Sequence, residues 1–162
     1  MFSREVEKAL NGQINTELYS AYLYLSMSAY FESVNLRGLA KWMRVQASEE
    51  QAHAMKLFEH ITQRGGKIAL QGIDKPPSTW KSALAVFEDA YKHEQKVTGL
   101  IDGLVKTART AKDNATEIFL QWYVTEQVEE EASTSDVAQK LKLVGDSING
   151  LFMLDHYLGQ RE

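Results

Sequence analysis

Four stretches of helical periodicity each carry a carboxylate midway along the stripe that should face inward, and that pattern narrows the folds open to this chain. Leu10, Ile14, Ala21, Tyr24 and Phe31 mark the first stripe, with Glu17 between Ile14 and Ala21. Met43, Leu57 and Ile61 mark the second, around Glu50 and His53, which sit three apart and share a helical face. Leu84, Phe87, Tyr91, Val97 and Ile101 flank Glu94 in the third, and Leu120, Tyr123, Val137 and Leu141 flank Gln127 and Glu130 in the fourth. Helices packed side by side bring these polar groups to a common depth. Any one of the glutamates alone is more often solvated or locally paired, and a lone His53 is more often a satisfied core histidine. Together they repel one another unless a cation lies between them, and lysine and arginine are scarce on these stripes. Bound metal is the simplest compensation.

The punctuation of the chain fits four long helices and a short one. Its only prolines, Pro76 and Pro77, are adjacent, so the remaining length is free of the strongest helix breaker. Helices are expected over about 4–34, 39–64, 79–109, 114–143 and 146–158. Ser3 should cap the first, with Glu5 and Glu7 in its opening turn. Residues 35–38 make a short break, so the second helix should return antiparallel to the first and stop at Gly65-Gly66. Residues 67–78 are long enough to travel the length of a bundle, which lets the third helix run parallel to the second. Ser78 or Thr79 should cap it, and Asn114 with Glu117 resembles a capping box for the fourth. The expected fold is all-α, a single domain over 1–162 with a four-helix bundle, a long crossover between the second and third helices, and a short fifth helix. That last helix shows Leu151, Phe152, Leu154 and Leu158, either as a cap on the bundle's own end or as a subunit contact.

Composition narrows the chemistry. The 162 residues suit one domain with a full-sized core. The chain has no cysteine, which excludes disulfides, thiolate catalysis and iron–sulfur clusters and suits a cytoplasmic address. A net charge of −4 gives no reason to expect nucleic acid. The N-terminal Met1-Phe2-Ser3-Arg4-Glu5-Val6-Glu7-Lys8 carries mixed charge with no apolar signal core, and no apolar run is long enough to span a bilayer.

Oxygen donors with one imidazole favour iron or manganese over a closed tetrahedral zinc site. Helical bundles that hold two irons use single glutamates from two helices and Glu-x-x-His from the other two. Glu17 and Glu94 supply the single glutamates here and Glu50-x-x-His53 one motif, but the fourth helix offers Gln127-Val128-Glu129-Glu130 in place of a second. With that departure the whole chain resembles the non-haem ferritins of bacteria and archaea. The segments that carry the likeness are Asn15-Thr16-Glu17-Leu18-Tyr19-Ser20-Ala21-Tyr22-Leu23-Tyr24-Leu25-Ser26-Met27, Glu49-Glu50-Gln51-Ala52-His53-Ala54, Arg64-Gly65-Gly66 and Glu126-Gln127-Val128-Glu129-Glu130-Glu131.

The resemblance implies a ferroxidase that oxidises ferrous iron with O2 or peroxide at a di-iron centre and stores ferric mineral in a homo-oligomeric shell of twenty-four subunits. By it, Glu17, Glu50 and His53 match one iron site, while Glu50 as bridge, Glu94 and Glu130 match the other, with Gln127 close by. Tyr24 matches the tyrosine beside the centre, although on the residues alone it is equally a core aromatic. Glu49, Glu126, Glu129 and Glu130 match a third iron position. Their shared flank supports that, against the plainer reading of a solvated acidic face. Trp122 is read as structural. A haem-binding bacterioferritin would carry methionine where Gln51 stands, so haem is not expected. A rubrerythrin-like oxygen or peroxide reductase would want a second Glu-x-x-His and a cysteine-ligated electron donor. A purely structural bundle would take up no iron. Glu117 matches a channel carboxylate of the animal relatives, with Leu120 where a second is expected. The fifth helix matches one that packs about a fourfold axis.

Overall fold

Ser3 opens the first helix as expected: its hydroxyl accepts from the Val6 amide in a computed structural model that describes residues 3–162. Met1 and Phe2, the first residues of the stretch read for a signal core, lie outside the described residues. The described residues form five helices and no strand: α1 (Arg4–Ser33), α2 (Arg37–Gln63), α3 (Ala83–Thr110), α4 (Asn114–Val144) and α5 (Ile148–Leu158). No helix among them is long and apolar enough to cross a membrane.

The first three helices stop by the same device. Asn35, Gly65 and Lys112 adopt left-handed backbone with φ of 60°, 73° and 54°. In each case the next amide reaches back five residues, from Leu36 to Phe31, Gly66 to Ile61 and Asp113 to Ala108, each at 2.9 Å. These bonds satisfy carbonyls that the helix ends would otherwise leave bare. Gly65-Gly66 is thus the stop its sequence announces. Asn35 and Lys112 pay a small steric penalty for the same turn.

Side-chain pairs fix the directions. Ser28 donates to the Ala40 carbonyl at one end of α1 and α2, and Asn11 donates to the Lys67 carbonyl beyond the other, so the two are antiparallel. Arg109–Glu117 and Lys142–Glu88 do the same for α3 and α4. Phe31 packs on Phe87 and Tyr24 bonds Glu94, so α3 also opposes α1 and runs parallel to α2. The crossover lies along α1, pinned by Asn11 to Lys67 and Ala69 and by Ser26 to the Pro77 carbonyl.

Several boundaries differ from expectation, and at α3 and α4 side chains beside the cap have partners that local pattern does not show. Trp80 packs on Tyr30 and donates to Asp89, which keeps the chain extended past Ser78 and Thr79, so Ser82 caps α3 instead by accepting from Ala85. Asp113, not Asn114, caps α4, accepting from Thr116 while Arg64 holds its carboxylate at 2.9 Å. Glu117 is taken by Arg109. Gly38 belongs to α2, not to the break before it. The fifth helix starts two residues later than expected, capped by Ser147.

The apolar core is in two halves. One gathers Tyr24, Met27, Phe31, Leu39, Met43, Phe87, Val137 and Leu141 with Leu154 and Leu158 of α5. The other gathers Leu10, Ile14, Leu57, Ile61, Val97, Ile101, Leu120 and Tyr123. Leu154 and Leu158 are therefore cap residues and Leu151 is half-buried, while Phe152 stands exposed with Ile148, Met153 and Tyr157. The cap reading of α5 holds for the face that carries Leu154 and Leu158, and the opposite face is bare.

Docking of α5 also completes α2. Leu36 gives α2 no side-chain cap, and Asp155 of α5 accepts from the Leu39 amide at 2.8 Å in its place. A Cβ on Gly38 would lie 1.8 Å from the Asp155 carbonyl oxygen, a backbone atom that has nowhere to move without shifting α5. Gly38→Ala is expected to cost about 1–3 kcal/mol, the range for overpacking a tight contact. Thermal unfolding checks this, and a melting temperature equal to the parent's would show that α5 docks some other way.

Candidate metal centre

The two apolar halves are separated by a polar layer that all four long helices supply. Glu17 comes from α1, Glu50 and His53 from α2, Glu94 from α3, and Gln127 and Glu130 from α4, none more than 5% exposed. Helical spacing explains the placement, since in each helix the layer replaces one or two turns of an otherwise apolar stripe. Two tyrosines bound it. Tyr24 sits in one half of the core with its hydroxyl donating to Glu94, and Tyr123 sits in the other and donates to the His53 carbonyl at 2.6 Å.

Two groups within the layer have donor atoms close enough to share an ion. Glu17, Glu50 and His53 form one, and Glu50, Glu94 and Glu130 the other, with ligand atoms within 4.8 Å of each other in each. Glu50 belongs to both. Its Oε2 lies 3.3 Å from His53 Nδ1.

Protein donors satisfy only part of this layer. Gln13 donates to Glu17 at 2.8 Å, and Gln127 to Glu94 at 3.1 Å. Gln46, wholly buried, donates to Glu50 at 3.0 Å and to Glu130 at 2.6 Å. Glu17 Oε2 is buried with no hydrogen-bond partner. Carboxylates so placed resist ionisation. Burial, then repulsion from Glu50, pushes Glu17 up to about 8. Burial raises Glu94 to about 7, and burial followed by repulsion from Glu94 raises Glu130 to about 7. Glu50 is held well above its ordinary range by burial and then by Glu94 and Glu130, and Tyr24 likewise by burial and then Glu94. A carboxylate oxygen without a donor, in a layer of mutually repelling acids with no lysine or arginine buried among the described residues, is an arrangement that could hold a cation.

The acids expected on the flank divide. Glu126 comes within 3.7 Å of His53 Nε2, and His53, Glu126 and Glu130 make a third group of ligand atoms. Glu49 is held in an ion pair with Arg161 and joins none of these groups. Glu129 is exposed and joins none of these groups. Trp122 meets His53 edge-on at 5.2 Å under the Lys56 ammonium. Gln51 is exposed. Leu120 corrects the sequence comparison at the channel: it is wholly buried in the core, so it cannot stand beside Glu117 at a surface, where Gln121 bonds the Glu117 carbonyl instead.

Gln13 and Gln46 were missed from the sequence, though a signal was there. Each precedes a buried glutamate by four residues, the spacing at which an amide reaches a carboxylate one turn on. Arg161 gave no local signal at all.

Comparison with known proteins agrees with this fold. The ferritin-like domain matches residues 7–144. A bacterial non-heme ferritin of Bacteroides fragilis is 44% identical over 161 residues, covering 99% of this chain and 100% of the relative. Another from Campylobacter jejuni is 45% identical over 158 residues, covering 98% and 95%. Among solved structures, an open pore ferritin from the hyperthermophilic archaeon Archaeoglobus fulgidus superposes with a TM-score of 0.99 at 52% identity, covering 100% of this chain and 99% of that one. Shared fold, shared length and identity well above the level at which folds alone coincide place the chain in the ferritin-like family, among the non-haem ferritins of bacteria and archaea.

Proposed function

We propose that this chain is an iron-storage ferritin that oxidises ferrous iron at a di-iron ferroxidase centre within each subunit and deposits ferric mineral inside a multi-subunit shell. The observation that carries the reading is Glu50, a buried carboxylate common to two adjacent ligand groups. Glu17, Glu50 and His53 hold one ferrous ion, and Glu50, Glu94 and Glu130 the other. Each ion gives up one electron to O2 or peroxide. The chain's own residues supply spacing, negative charge and a dry surround, with Tyr24 and Gln127 orienting Glu94 by hydrogen bonds. Iron is substrate here. Glu130 stands where a second histidine would make the site more committed, so the second position has oxygen donors alone and releases its ion more readily. Glu126, only partly buried beside His53 and Glu130, offers a stepping place toward the surface.

The shell reading draws on apolar surface that a lone subunit has no reason to expose. Ile148, Phe152, Met153 and Tyr157 of α5 are 58–75% exposed, and Tyr22 and Leu25 of α1 and Leu70 and Ile73 of the crossover are also bare. A homo-oligomer of twenty-four subunits, as the resemblance implies, would cover such faces. No feature favours the dedicated oxygen or peroxide reductase, whose second Glu-x-x-His is absent.

Three outcomes follow. Losing groups that merely orient metal ligands costs about 10–100-fold, so Glu50→Ala or His53→Ala should slow aerobic iron oxidation by at least about tenfold. Stopped-flow absorbance of ferric product measures this, and parent-like rates would remove the centre from these residues. After aerobic loading, particle mass and iron assay should show far more iron than subunits; a few ions per subunit would favour the reductase. The third concerns pH. Glu17, Glu94 and Glu130 titrate near 8, 7 and 7 when folded, against 4.5 for an unperturbed glutamate. The folded state then binds more protons between those values, so stability falls as pH rises from about 5 to 8. Metal-free protein should melt lower at pH 8 than at pH 5, and a divalent cation should restore more stability at pH 8. Melting that rises across that range would contradict it.

A further inference from the structure

Beyond α5 the chain turns back along α2 and sets the Arg161 guanidinium beside the acid layer. It lies 4.2 Å over the Trp42 ring. Nη1 donates to the Gln46 side-chain oxygen at 3.0 Å and to the Trp42 carbonyl at 3.4 Å, and Nη2 donates to Glu49. Stacking and a planar fork with three acceptors hold this cation in one place, which a flexible ammonium could not match. Gln46 passes the arrangement inward. Its oxygen is taken by Arg161, so its amide nitrogen must face Glu50 and Glu130, and it bonds both. Arg161 is therefore one side chain removed from two acids of the proposed centre, and in direct contact with an acid of its flank.

We propose that Arg161 sets how strongly the flank binds a third ion, by occupying Glu49. A divalent cation arriving there finds His53, Glu126 and Glu130; Glu49, whose charge reaches Glu130, becomes available to it only once the stacked guanidinium, which also repels the cation, lets go. The third ion is thus held weakly and moves on, as a stepping position requires. The inference rests on the proposed function above and assigns Arg161 a specificity role without contact to iron.

Calorimetric titration of the intact assembly with ferrous iron under argon tests it, using the parent, Arg161→Ala, and Arg161→Ala with Glu49→Gln. Arg161 lies beyond the last helix and outside both halves of the core, and circular dichroism with particle mass checks that each variant keeps the fold and assembly. In Arg161→Ala the third ion should bind about tenfold more tightly, ~1.4 kcal/mol. Adding Glu49→Gln should cancel that gain. Unchanged or weaker third-ion affinity in Arg161→Ala overturns the role of Arg161, and ions still bound at the two inner groups leave the di-iron reading standing. A gain that survives Glu49→Gln also overturns it. A parent that takes up no ferrous ions at the inner groups sinks both.

Discussion

Burying several carboxylates at one level of a helical bundle is the constraint on which this structure turns. Removing an ionised carboxylate from water costs several kcal/mol even after relaxation, while a buried leucine returns roughly 1.5–3 kcal/mol. Four such acids would offset a large share of either half of the core if nothing compensated them. The fold meets this by dividing its core in two, with apolar packing above and below a polar layer. Long uninterrupted helices are needed to reach through all three zones. The crossover along α1, which returns the chain to the same end of the bundle, lets α2 and α3 present their acids at the same height.

Within the layer, compensation is partial by construction. Three carboxamides and a phenol donate to the acids, each covering one or two oxygens, and none of them reaches Glu17 Oε2, which has only the Glu50 carboxyl beside it. Neutral donors offset burial and mutual repulsion only in part, and Glu17, Glu94 and Glu130 stay raised. A fully satisfied network would have no use for metal. On the proposed function, one imidazole among otherwise hard oxygen donors would suit iron as a substrate in passage more than as a resident cofactor.

Much of this was legible beforehand, and the exceptions share a cause. The stripes placed Glu17, Glu50, His53, Glu94, Gln127 and Glu130 at one depth because helical period alone determines which residues share a face. Ser3 and Gly65-Gly66 marked helix ends because their effects are local. Ser82 displaced Ser78 and Thr79 because Trp80 had found Tyr30 and Asp89. Asp113 displaced Asn114 because Arg64 held it from another helix. Leu120 was matched by position to a channel acid, but its face of α4 belongs to the core. Arg161 was invisible for the same reason. Its partners Trp42, Gln46 and Glu49 are over a hundred residues away in the chain, and only the docking of α5 on α2 brings them together.

That docking ties the bundle's end to its centre. Gly38 admits the α5 backbone, Asp155 caps α2 in place of the uncapping Leu36, and the same approach delivers Arg161 to the flank of the acids. The central claim, that Glu50 bridges two irons inside each subunit, is tested most directly by anomalous diffraction at the iron absorption edge from crystals soaked with ferrous iron under argon. Two peaks per subunit on either side of the Glu50 carboxylate, one toward Glu17 and His53 and the other toward Glu94 and Glu130, are the expected result. Iron found only at surface acids, with no density in the buried layer, would contradict it.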